Sequence, residues 1–515
     1  MIARGAAILA LGLAPVLPSL PMARDAAPAS VPFSFDALTD EMRALAGETH
    51  IEPTRPRGFL GDLEYDDYRL IRFNDAKARW RDAEGPFQLH AFHTGWLFGA
   101  PVRLFEVEDG MAREMSFSTA DFEYLNELAD RVPADAELPG VAGFRLNHPI
   151  NRPDKHDELV AFLGASYFRA LGRGSVYGTS ARGVAVDTAT ARPEEFPRFT
   201  RFWLERSTAG DDAITVHAAL DGPSVTGAYR FVIRPGADTV MDVTARLFMR
   251  ADVAELGIAP LTSMTLFGEA DRARFDDYRS AVRDSEALRV VRADGDVLWR
   301  PLNNPVELAG GYFLETSPRA FGLHQRQRDP EAYQDAEAHY ERRPSVEVEP
   351  LGDWGPGAVR LVEIPTDLEA NDNIVAYWVR EDPVRAGEAL EYEYRLRWGD
   401  LPQDMNGDRA VVIGTRAGAS GPSGVPSPEG TRKFVVDFAG GPLAELPADA
   451  DIAAEVSIST GELLSKTLER LEDGRAWRLV IDVAAEEGDV VEIIAHLAGF
   501  DRKLSEIWLY QWVNA

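Results

Sequence analysis

The chain has 515 residues, of which 45% are hydrophobic and 27% charged, values typical of folded globular proteins rather than disordered or membrane proteins. Its formal net charge of −30 argues against binding to nucleic acid or to anionic lipid surfaces. Cysteine is absent, which excludes disulfides, thiolate metal sites and thiol nucleophiles. The length fits two or three domains.

The N-terminus has the pattern of an export signal. Arg4 supplies a positive charge, residues 6–17 form a short apolar run, and small residues between Ala23 and Ala29 offer a cleavage site. The apolar run is too short to span a bilayer, and no twin-arginine pair precedes it. We therefore expect residues 1–28 to be a Sec-type signal peptide, and the mature protein to have no stable membrane insertion.

After the signal, one amphipathic helix is predicted over residues 35–47. Asp36 is the expected N-cap, Leu38, Met42 and Leu45 share one face, and Gly47 ends the helix. Most of the chain beyond this helix has the two-residue period of antiparallel strands with one buried face, most clearly over residues 227–236, 239–249 and 390–398. Turn-forming residues separate these segments, which predicts an all-β fold of packed sheets rather than βαβ units.

A polar, turn-rich segment, residues 400–408, is predicted to be a linker. We expect a large antiparallel β-sandwich domain over residues 29–399 and a second domain over residues 409–515. Short strands predicted at residues 433–438, 454–459, 477–483 and 490–497 favour an immunoglobulin-like sandwich for the second domain. Residues 417–430, rich in Gly, Pro and Ser, are predicted to form a mobile loop.

The most informative motif is Asn371-Asp372-Asn373, which runs directly into the apolar segment of residues 374–378. Such a segment is typical of a buried strand. Partial burial at its start would raise the pKa of Asp372, because desolvation disfavours the charged form. A carboxyl group that stays protonated near neutral pH is what a glycosidase needs as its general acid. The simpler alternative is that Asp372 caps a turn before the strand.

Other chemistry finds less support in the sequence. Gly172-Arg173-Gly174 lacks the spacing of a dinucleotide fingerprint, and residues 178–183 have one residue too many for a serine-hydrolase elbow. His90 and His93 fit polar side chains in a strand and turn better than metal ligands. We expect neither a metal nor a cofactor.

Several longer motifs occur in one order along the chain. They are Gly164-Ala165-Ser166-Tyr167-Phe168-Arg169, Tyr177-Gly178-Thr179-Ser180-Ala181-Arg182-Gly183, residues 223–231, residues 299–305, Tyr333-Gln334-Asp335, residues 340–345, Gly352-Asp353-Trp354-Gly355 and residues 371–378. Together they resemble the periplasmic glucan biosynthesis proteins of the OpgG/OpgD (MdoG/MdoD) family over nearly the whole mature chain. The resemblance implies a large β-sandwich domain followed by a small immunoglobulin-like one, in the periplasm of a Gram-negative bacterium.

The resemblance also implies a reaction and its residues. It suggests an inverting endo-glucanase acting on β-1,2-glucan, with Asp372 as general acid and Asp284 as general base through a relay of water and a substrate hydroxyl. For Asp284, the residue-level alternative is an exposed loop acid paired with Arg283 or Arg279. Loops at residues 299–304 and 325–343 are candidates for closing the site. Aromatic and polar residues are clustered in this part of the sequence, which predicts a groove that binds glucan; the alternative is a charged surface over buried aromatic rings. The predicted binding residues are Trp299, Arg300, Tyr333, Tyr340, Glu341, Arg343 and Trp354.

Three alternatives stay open from the sequence. The protein could be a transglycosylase on the same glucan, since an acceptor sugar need only outcompete water. It could instead be a non-catalytic glucan-binding factor that assists the membrane glucosyltransferase of the pathway. The C-terminal domain could be the module that docks this partner, in which case deleting the residues after Gly399 should spare activity, provided that the first domain stays folded.

Overall fold

The computed structural model describes residues 30–81, 83–421 and 424–514, so the expected signal peptide lies outside the described residues. In these ranges, no helix is long and apolar enough to cross a membrane. The helices are α1 (Phe35–Leu45) and α2 (Tyr65–Tyr68), with 3₁₀ turns at Gly58–Leu60, Asp75–Lys77, Thr119–Asp121, Asn126–Asp130, Arg272–Arg274, Pro330–Ala332, Tyr340–Arg342 and Gly441–Ala444.

Strands make up most of the remaining structure. The first half of the chain forms β1 (Val31–Pro32), β2 (Ile71–Phe73), β3 (Gln88–Phe92), β4 (Arg103–Glu108), β5 (Met111–Glu114), β6 (Phe122–Tyr124), β7 (Gly143–Arg152), β8 (Lys155–Leu163), β9 (Tyr167–Ala170), β10 (Ser180–Arg182), β11 (Val184–Val186), β12 (Arg198–Glu205), β13 (Ile214–Asp221), β14 (Val225–Arg234), β15 (Thr239–Met249), β16 (Leu256–Ser263) and β17 (Thr265–Phe267). The second half forms β18 (Val282–Arg283), β19 (Ala287–Val291), β20 (Val297–Pro301), β21 (Ala309–Thr316), β22 (Ala320–His324), β23 (Ser345–Pro350), β24 (Pro356–Glu363), β25 (Ile374–Arg380), β26 (Ala389–Gly399), β27 (Val411–Ala419), β28 (Thr431–Ala439), β29 (Ala453–Ile458), β30 (Glu462–Arg470), β31 (Trp477–Ala484), β32 (Val490–Gly499), β33 (Arg502–Lys503) and β34 (Ile507–Val513).

Two large sheets pack face to face and form the main core. One has the strand order β1-β5-β4-β12-β13-β14-β15-β26-β23-β22-β19-β20-β34-β32-β29, with β33 beside β32. The other, a ten-stranded sheet, has the order β21-β24-β25-β16-β10-β9-β8-β7-β3, with β11 beside β16. Aromatic rings meet between the sheets, with centroids 5.0 Å apart for Phe144 and Phe202 and 5.3 Å apart for Phe162 and Phe231. Burial of such rings is the main stabilising contribution at this interface.

The predicted strands of the first domain are confirmed, and with them the all-β fold class. β14 and β15 match residues 227–236 and 239–249, and β26 matches residues 390–398. Along β26, Tyr392, Tyr394 and Leu396 are buried, whereas Glu391 and Glu393 are exposed. This is the alternation that the sequence showed, and it arises because one face of the strand covers the core.

The predicted helix is also present, but its N-cap is different. Ser34 has extended backbone angles, and its hydroxyl accepts a hydrogen bond from the backbone N–H of Ala37 at 3.1 Å. Asp36, the expected cap, lies in the first turn instead, where its negative charge still suits the helix dipole. The helix buries Leu38 and Met42 as expected and ends at Leu45.

The C-terminal part of the chain is a second β-sandwich. The strands predicted there appear as β28, β29, β31 and β32. A sheet of order β27-β28-β31-β30 packs against β29, β32 and β34 around a core that includes Phe434, Ile481 and Ile493. The immunoglobulin-like topology stays a prediction. β27 extends to Ala419, so the predicted loop begins later than expected, and its residues 422 and 423 lie outside the described residues.

The two sandwiches are continuous with each other. β34 runs parallel to β20, with Trp508 opposite Trp299, so the sixteen-stranded sheet passes from one part of the chain to the other. Trp299 belongs to the core of the C-terminal sandwich. Arg326 lies over its ring, 3.4 Å from the centroid, and makes a two-pronged ion pair with Glu506 at 2.7 Å. The C-terminal part is therefore packed against the first rather than tethered to it.

Candidate active site

Asp372 lies where the chain enters β25, inside the ten-stranded sheet. The next residue, Asn373, is buried, and its backbone N–H donates to the carbonyl of Ser263 at 3.0 Å. Its side-chain oxygen accepts from the N–H of Thr265 at 2.8 Å, and its amide nitrogen donates to the carbonyls of Thr265 and Ile364 at 3.0 and 3.2 Å. Because every polar atom of this amide is used, the start of β25 is fixed relative to residues 263–265.

Asp284 is attached to the same three residues. Its backbone N–H donates to the carbonyl of Met264 at 2.7 Å. The hydroxyl of the following residue, Ser285, lies 2.8 Å from that of Ser263, and the hydroxyl of Thr265 donates to the carbonyl of Ser285 at 2.7 Å. Residues 263–265 thus hold the backbones on both sides of the site, and this buried network brings Asp284 and Asp372 together from distant parts of the sequence.

Burial raises the pKa of Asp284 to about 7, and the negative charges of Asp372 and Glu369 add to the rise. The guanidinium of Arg343 opposes it. Asp284 Oδ1 and Arg343 Nε are 3.5 Å apart, and within the described residues neither atom has a hydrogen-bond partner. Asp284 is only 8% exposed and faces Arg343, so the alternative of an exposed loop acid paired with Arg283 or Arg279 is wrong.

Asp372 has a different environment. Its side chain is solvent-exposed, yet the protein atoms crowded around it raise its pKa through partial desolvation. The charges of Arg182 and Arg169 oppose the rise. Arg182 lies 4.7 Å from the ring centroid of Tyr167, and the negative charge of Asp372 contributes to the raised pKa of that tyrosine. The site therefore pairs a buried carboxyl with an exposed one, and both have raised pKa values.

The residues around Asp372 had no role predicted from the sequence. Tyr167 and Arg169 come from β9, and Arg182 from β10, next to the site on the ten-stranded sheet. Both motifs that contain them, residues 164–169 and 177–183, carried the family resemblance. Those motifs were the available signal, but nothing in their spacing showed that they would meet residue 372.

The loop that connects β22 to β23 supplies several predicted binding residues. Tyr340 is buried and donates its hydroxyl hydrogen bond to Glu369, and its ring lies 5.2 Å from the guanidinium of Arg343. The carboxylate of Glu341 is 3.2 Å from His339 Nδ1 through one oxygen, and its other oxygen is buried with no protein partner among the described residues. The structure thus brings Tyr340 and Arg343 to Asp284. Glu341 directly follows Tyr340 in the same loop.

The four other predicted binding residues are buried in the protein. Trp299 is inside the C-terminal core, and Arg300 is 3% exposed and paired with the buried Glu363 at 2.9 Å. Trp354 is 8% exposed and belongs to the main core. Tyr333 is fully buried, with its ring centroid 6.0 Å from that of Tyr340. The predicted loop at residues 299–304 is in part the end of β20 and supports the fold, whereas the loop at residues 325–343 borders the site.

A depression of about 400 Å³ is lined by Arg343 together with residues of β7 and β8 from the ten-stranded sheet. Its most exposed ring is Tyr177, which lies 4.0 Å from the guanidinium of Arg169. Exposed rings beside charged and amide groups can contact both the apolar faces and the hydroxyls of a polar ligand. Its other lining residues include Asn151, Asp157, Glu158, Ser175, Glu337 and His339.

The two histidines considered as metal ligands make protein hydrogen bonds or ion pairs. His93 Nδ1 is 2.6 Å from the carbonyl of Thr94, and its Nε2 is 2.9 Å from the hydroxyl of Tyr124. His90 Nδ1 is 3.2 Å from Arg145. Over the described parts of the chain, no group of three or more His, Asp or Glu side chains is arranged to hold a metal ion.

Comparison with known proteins places this chain in a family. The family described as "Periplasmic glucan biosynthesis protein, MdoG" matches residues 33–512. This chain belongs to the MdoG family. A relative from Cereibacter sphaeroides called "Glucans biosynthesis protein G" is 61% identical over 95% of this chain and 92% of its own length. One of the same name from Rhodopseudomonas palustris is 41% identical over 98% of each chain.

Membership in the MdoG family covers both sandwiches, because the match runs from before α1 to the last strand, β34. A solved polysaccharide lyase covers 72% of this chain at 11% identity and a TM-score of 0.23, a likeness too low to inform fold or function. The family description assigns the chain to periplasmic glucan biosynthesis and confirms the resemblance seen in the sequence. That description names a pathway and no reaction.

Proposed function

We propose that this MdoG-family protein is an inverting endo-glucanase that cleaves β-1,2-glucan in the periplasm. The observation that carries the proposal is the pair of carboxyl groups, Asp284 and Asp372, both with raised pKa values and close enough for the charge of one to raise the pKa of the other. Two neighbouring carboxyl groups with raised pKa values can share one proton, and burial favours that proton on Asp284 in the free protein. The assignment of Asp372 as acid and Asp284 as base therefore rests on the family resemblance. The choice of a β-1,2 linkage rests on the family resemblance.

The two environments suit different roles. Asp372 is exposed, so its carboxyl can reach the glycosidic oxygen of a bound glucan and donate a proton to it as the C–O bond breaks. A water molecule attacks the anomeric carbon from the opposite side and loses its proton towards Asp284, which is buried and therefore receives it through a relay of water and a substrate hydroxyl. The net reaction adds one water across one glycosidic bond and inverts the anomeric centre.

The first test compares purified mature wild type with Asp372→Asn on linear β-1,2-glucan, with products resolved by size. We expect shortened oligosaccharides from wild type and a loss of at least about a hundredfold in kcat for the variant. Asp62→Asn, an exposed aspartate outside the site, is the matched control and should keep full activity. Products of larger or cyclised form, lost in Asp372→Asn, would indicate transglycosylation. Retained glucan binding with no product from either protein would support the non-catalytic binding factor.

The roles of the two aspartates can be separated with an activated substrate. A glucan fragment carrying an aryl leaving group needs little protonation, so it should restore much of the activity of Asp372→Asn. It should not restore Asp284→Asn, because the attacking water still lacks its base. If the activated substrate rescues Asp284→Asn instead, the roles are reversed. The anomeric configuration of the first product, followed by NMR, tests inversion independently.

A further inference from the structure

One arginine connects three loops beside the site. The guanidinium of Arg279 donates to Asp277 through Nε and Nη2, to Glu369 through Nη1 and Nη2, and to Asp335 through Nη1. Its closest contacts are 2.8 Å to Asp277, 2.8 Å to Glu369 and 2.9 Å to Asp335. All five N–H groups of a guanidinium are used in this arrangement.

The three carboxylates belong to three different loops. Asp277 lies between β17 and β18, Asp335 between β22 and β23, and Glu369 between β24 and β25. The second of these loops carries Tyr340 and Arg343, and the third leads into Asp372. The side chain of Arg279 therefore connects the segments that hold the site residues.

Two of the carboxylates bound by Arg279, those of Asp335 and Glu369, also make hydrogen bonds that position the chain near Tyr340. Asp335 also accepts hydrogen bonds from the backbone N–H groups of Glu337 and Ala338 at 2.8 and 2.7 Å, which shapes the loop just before Tyr340. Glu369 accepts the hydroxyl hydrogen bond of Tyr340. Tyr340 is thereby held both through the backbone that precedes it and through its hydroxyl group.

We infer that Arg279 is a positioning residue that holds these three loops together as one wall of the glucan site, and that the site loses its geometry without this five-donor contact. The inference rests on the proposed function and adds to it a residue that need not touch the substrate. The side chain of Arg279 is 13% exposed, whereas the preceding residue, Tyr278, is exposed.

The same arrangement has an electrostatic consequence. The charged groups that act on Asp284 are Arg343, Asp372 and Glu369. Arg279 lies against Glu369 and offsets its negative charge. Removal of Arg279 leaves that charge unopposed, which raises the pKa of Asp284 further. If Asp284 must be ionised to act as base, the acid limb of the pH profile of kcat/KM then moves to higher pH.

The experiment uses two substitutions and one control in the full mature chain. Arg279→Gln removes the charge and the planar fork, whereas Arg279→Lys keeps the charge and loses the fork. Arg246→Gln is the control: Arg246 also joins two carboxylates, Asp36 at 2.9 Å and Glu391 at 2.8 Å, but it lies beside α1, away from the site. Its substitution changes the net charge by the same amount.

We expect Arg279→Gln to raise KM for linear β-1,2-glucan about tenfold and to move the acid limb upward by about one pH unit. Arg279→Lys should raise KM similarly with a smaller shift of the limb. If both variants lose thermal stability while KM and the acid limb of the pH profile stay unchanged, the inference is overturned, because a purely structural arginine gives that result. Arg246→Gln should leave KM and limb unchanged.

Failure of the inference can be told apart from failure of the proposed function. Glucan affinity is measured by calorimetry in the Asp372→Asn background, where no turnover is expected. Weakened binding on adding Arg279→Gln supports the positioning role even if wild type yields no product, in which case the hydrolase proposal alone fails. Unchanged binding together with normal product formation by Arg279→Gln refutes the positioning role alone.

Discussion

Replacement of Asp284 by asparagine should stabilise the protein while abolishing its activity. The pKa of this carboxyl rises from an ordinary value of 3.8 to about 7 on folding, because it is buried. Between these two pH values, the unfolded chain is ionised at this position and the folded protein is protonated, so the folded state loses relative stability as pH rises. Above about pH 7 both states are ionised and the loss is complete. Asparagine carries no charge and avoids this loss.

The size of the effect follows from the shift in pKa. Three pH units correspond to about 4 kcal/mol of unfolding free energy at full ionisation, at about 1.4 kcal/mol per unit. At pH 5 only about 2 kcal/mol of that loss has accumulated, so the advantage of Asp284→Asn should grow by about 2–3 kcal/mol between pH 5 and pH 8. For a chain of this length, such a difference moves the thermal midpoint by about 2–3 °C.

The assay is thermal unfolding of wild type and Asp284→Asn at pH 5, 6, 7 and 8 in one buffer series. Asp62→Asn, exposed and outside the site, controls for the loss of one negative charge. We expect the midpoint of Asp284→Asn to exceed that of wild type by an increasing margin as pH rises, and this margin to level off above about pH 7. A margin that is constant with pH, or that shrinks, would refute the claim that Asp284 is a destabilising buried acid.

Two further predictions concern residues outside the carboxyl pair. Trp354→Ala should lower the unfolding free energy by about 3–5 kcal/mol and leave KM for glucan unchanged, since the ring packs against Tyr392 and Trp378 in the core. A raised KM in steady-state kinetics would instead show that Trp354 contributes to glucan binding. Deletion of residues 400–515 should yield a first domain that is unfolded or aggregated by circular dichroism and gel filtration, because it strips β34 from β20 and exposes Trp299. A soluble, active fragment would show that the two sandwiches are independent.

Hydrophobic patterns over a few neighbouring residues predicted the strands of the fold well. The alternation over residues 390–398 identified a strand and the face that it buries, because a two-residue period leaves few alternatives. The apolar run after Asp372 likewise identified β25, and thus the position of Asp372 at the start of a strand. The N-cap of α1 was misplaced because Ser34 and Asp36 are both good capping residues, and only the backbone angles decide between them.

The site was less accessible to the same reasoning. Aromatic and charged residues between Trp299 and Trp354 suggested a groove, but a cluster in sequence does not say which members face solvent. Trp299 and Trp354 entered two different cores, and Arg300 met the buried Glu363. Contacts that define the site join residues far apart in the chain, as when Arg279 meets Asp335 and Glu369. Spacing along the sequence carries no information about such contacts.

The buried residues next to the site affect the proposed reaction through the frame that they support. Glu363 ends β24, accepts from Arg300 and from the N–H of Asn303, and immediately precedes the loop that contains Glu369 and Asp372. Arg300 lies on β20, the strand that pairs with β34 of the C-terminal sandwich. Packing of the second sandwich against β20 therefore constrains the start of the loop that carries the proposed general acid. The C-terminal part thus supports the frame of the proposed site.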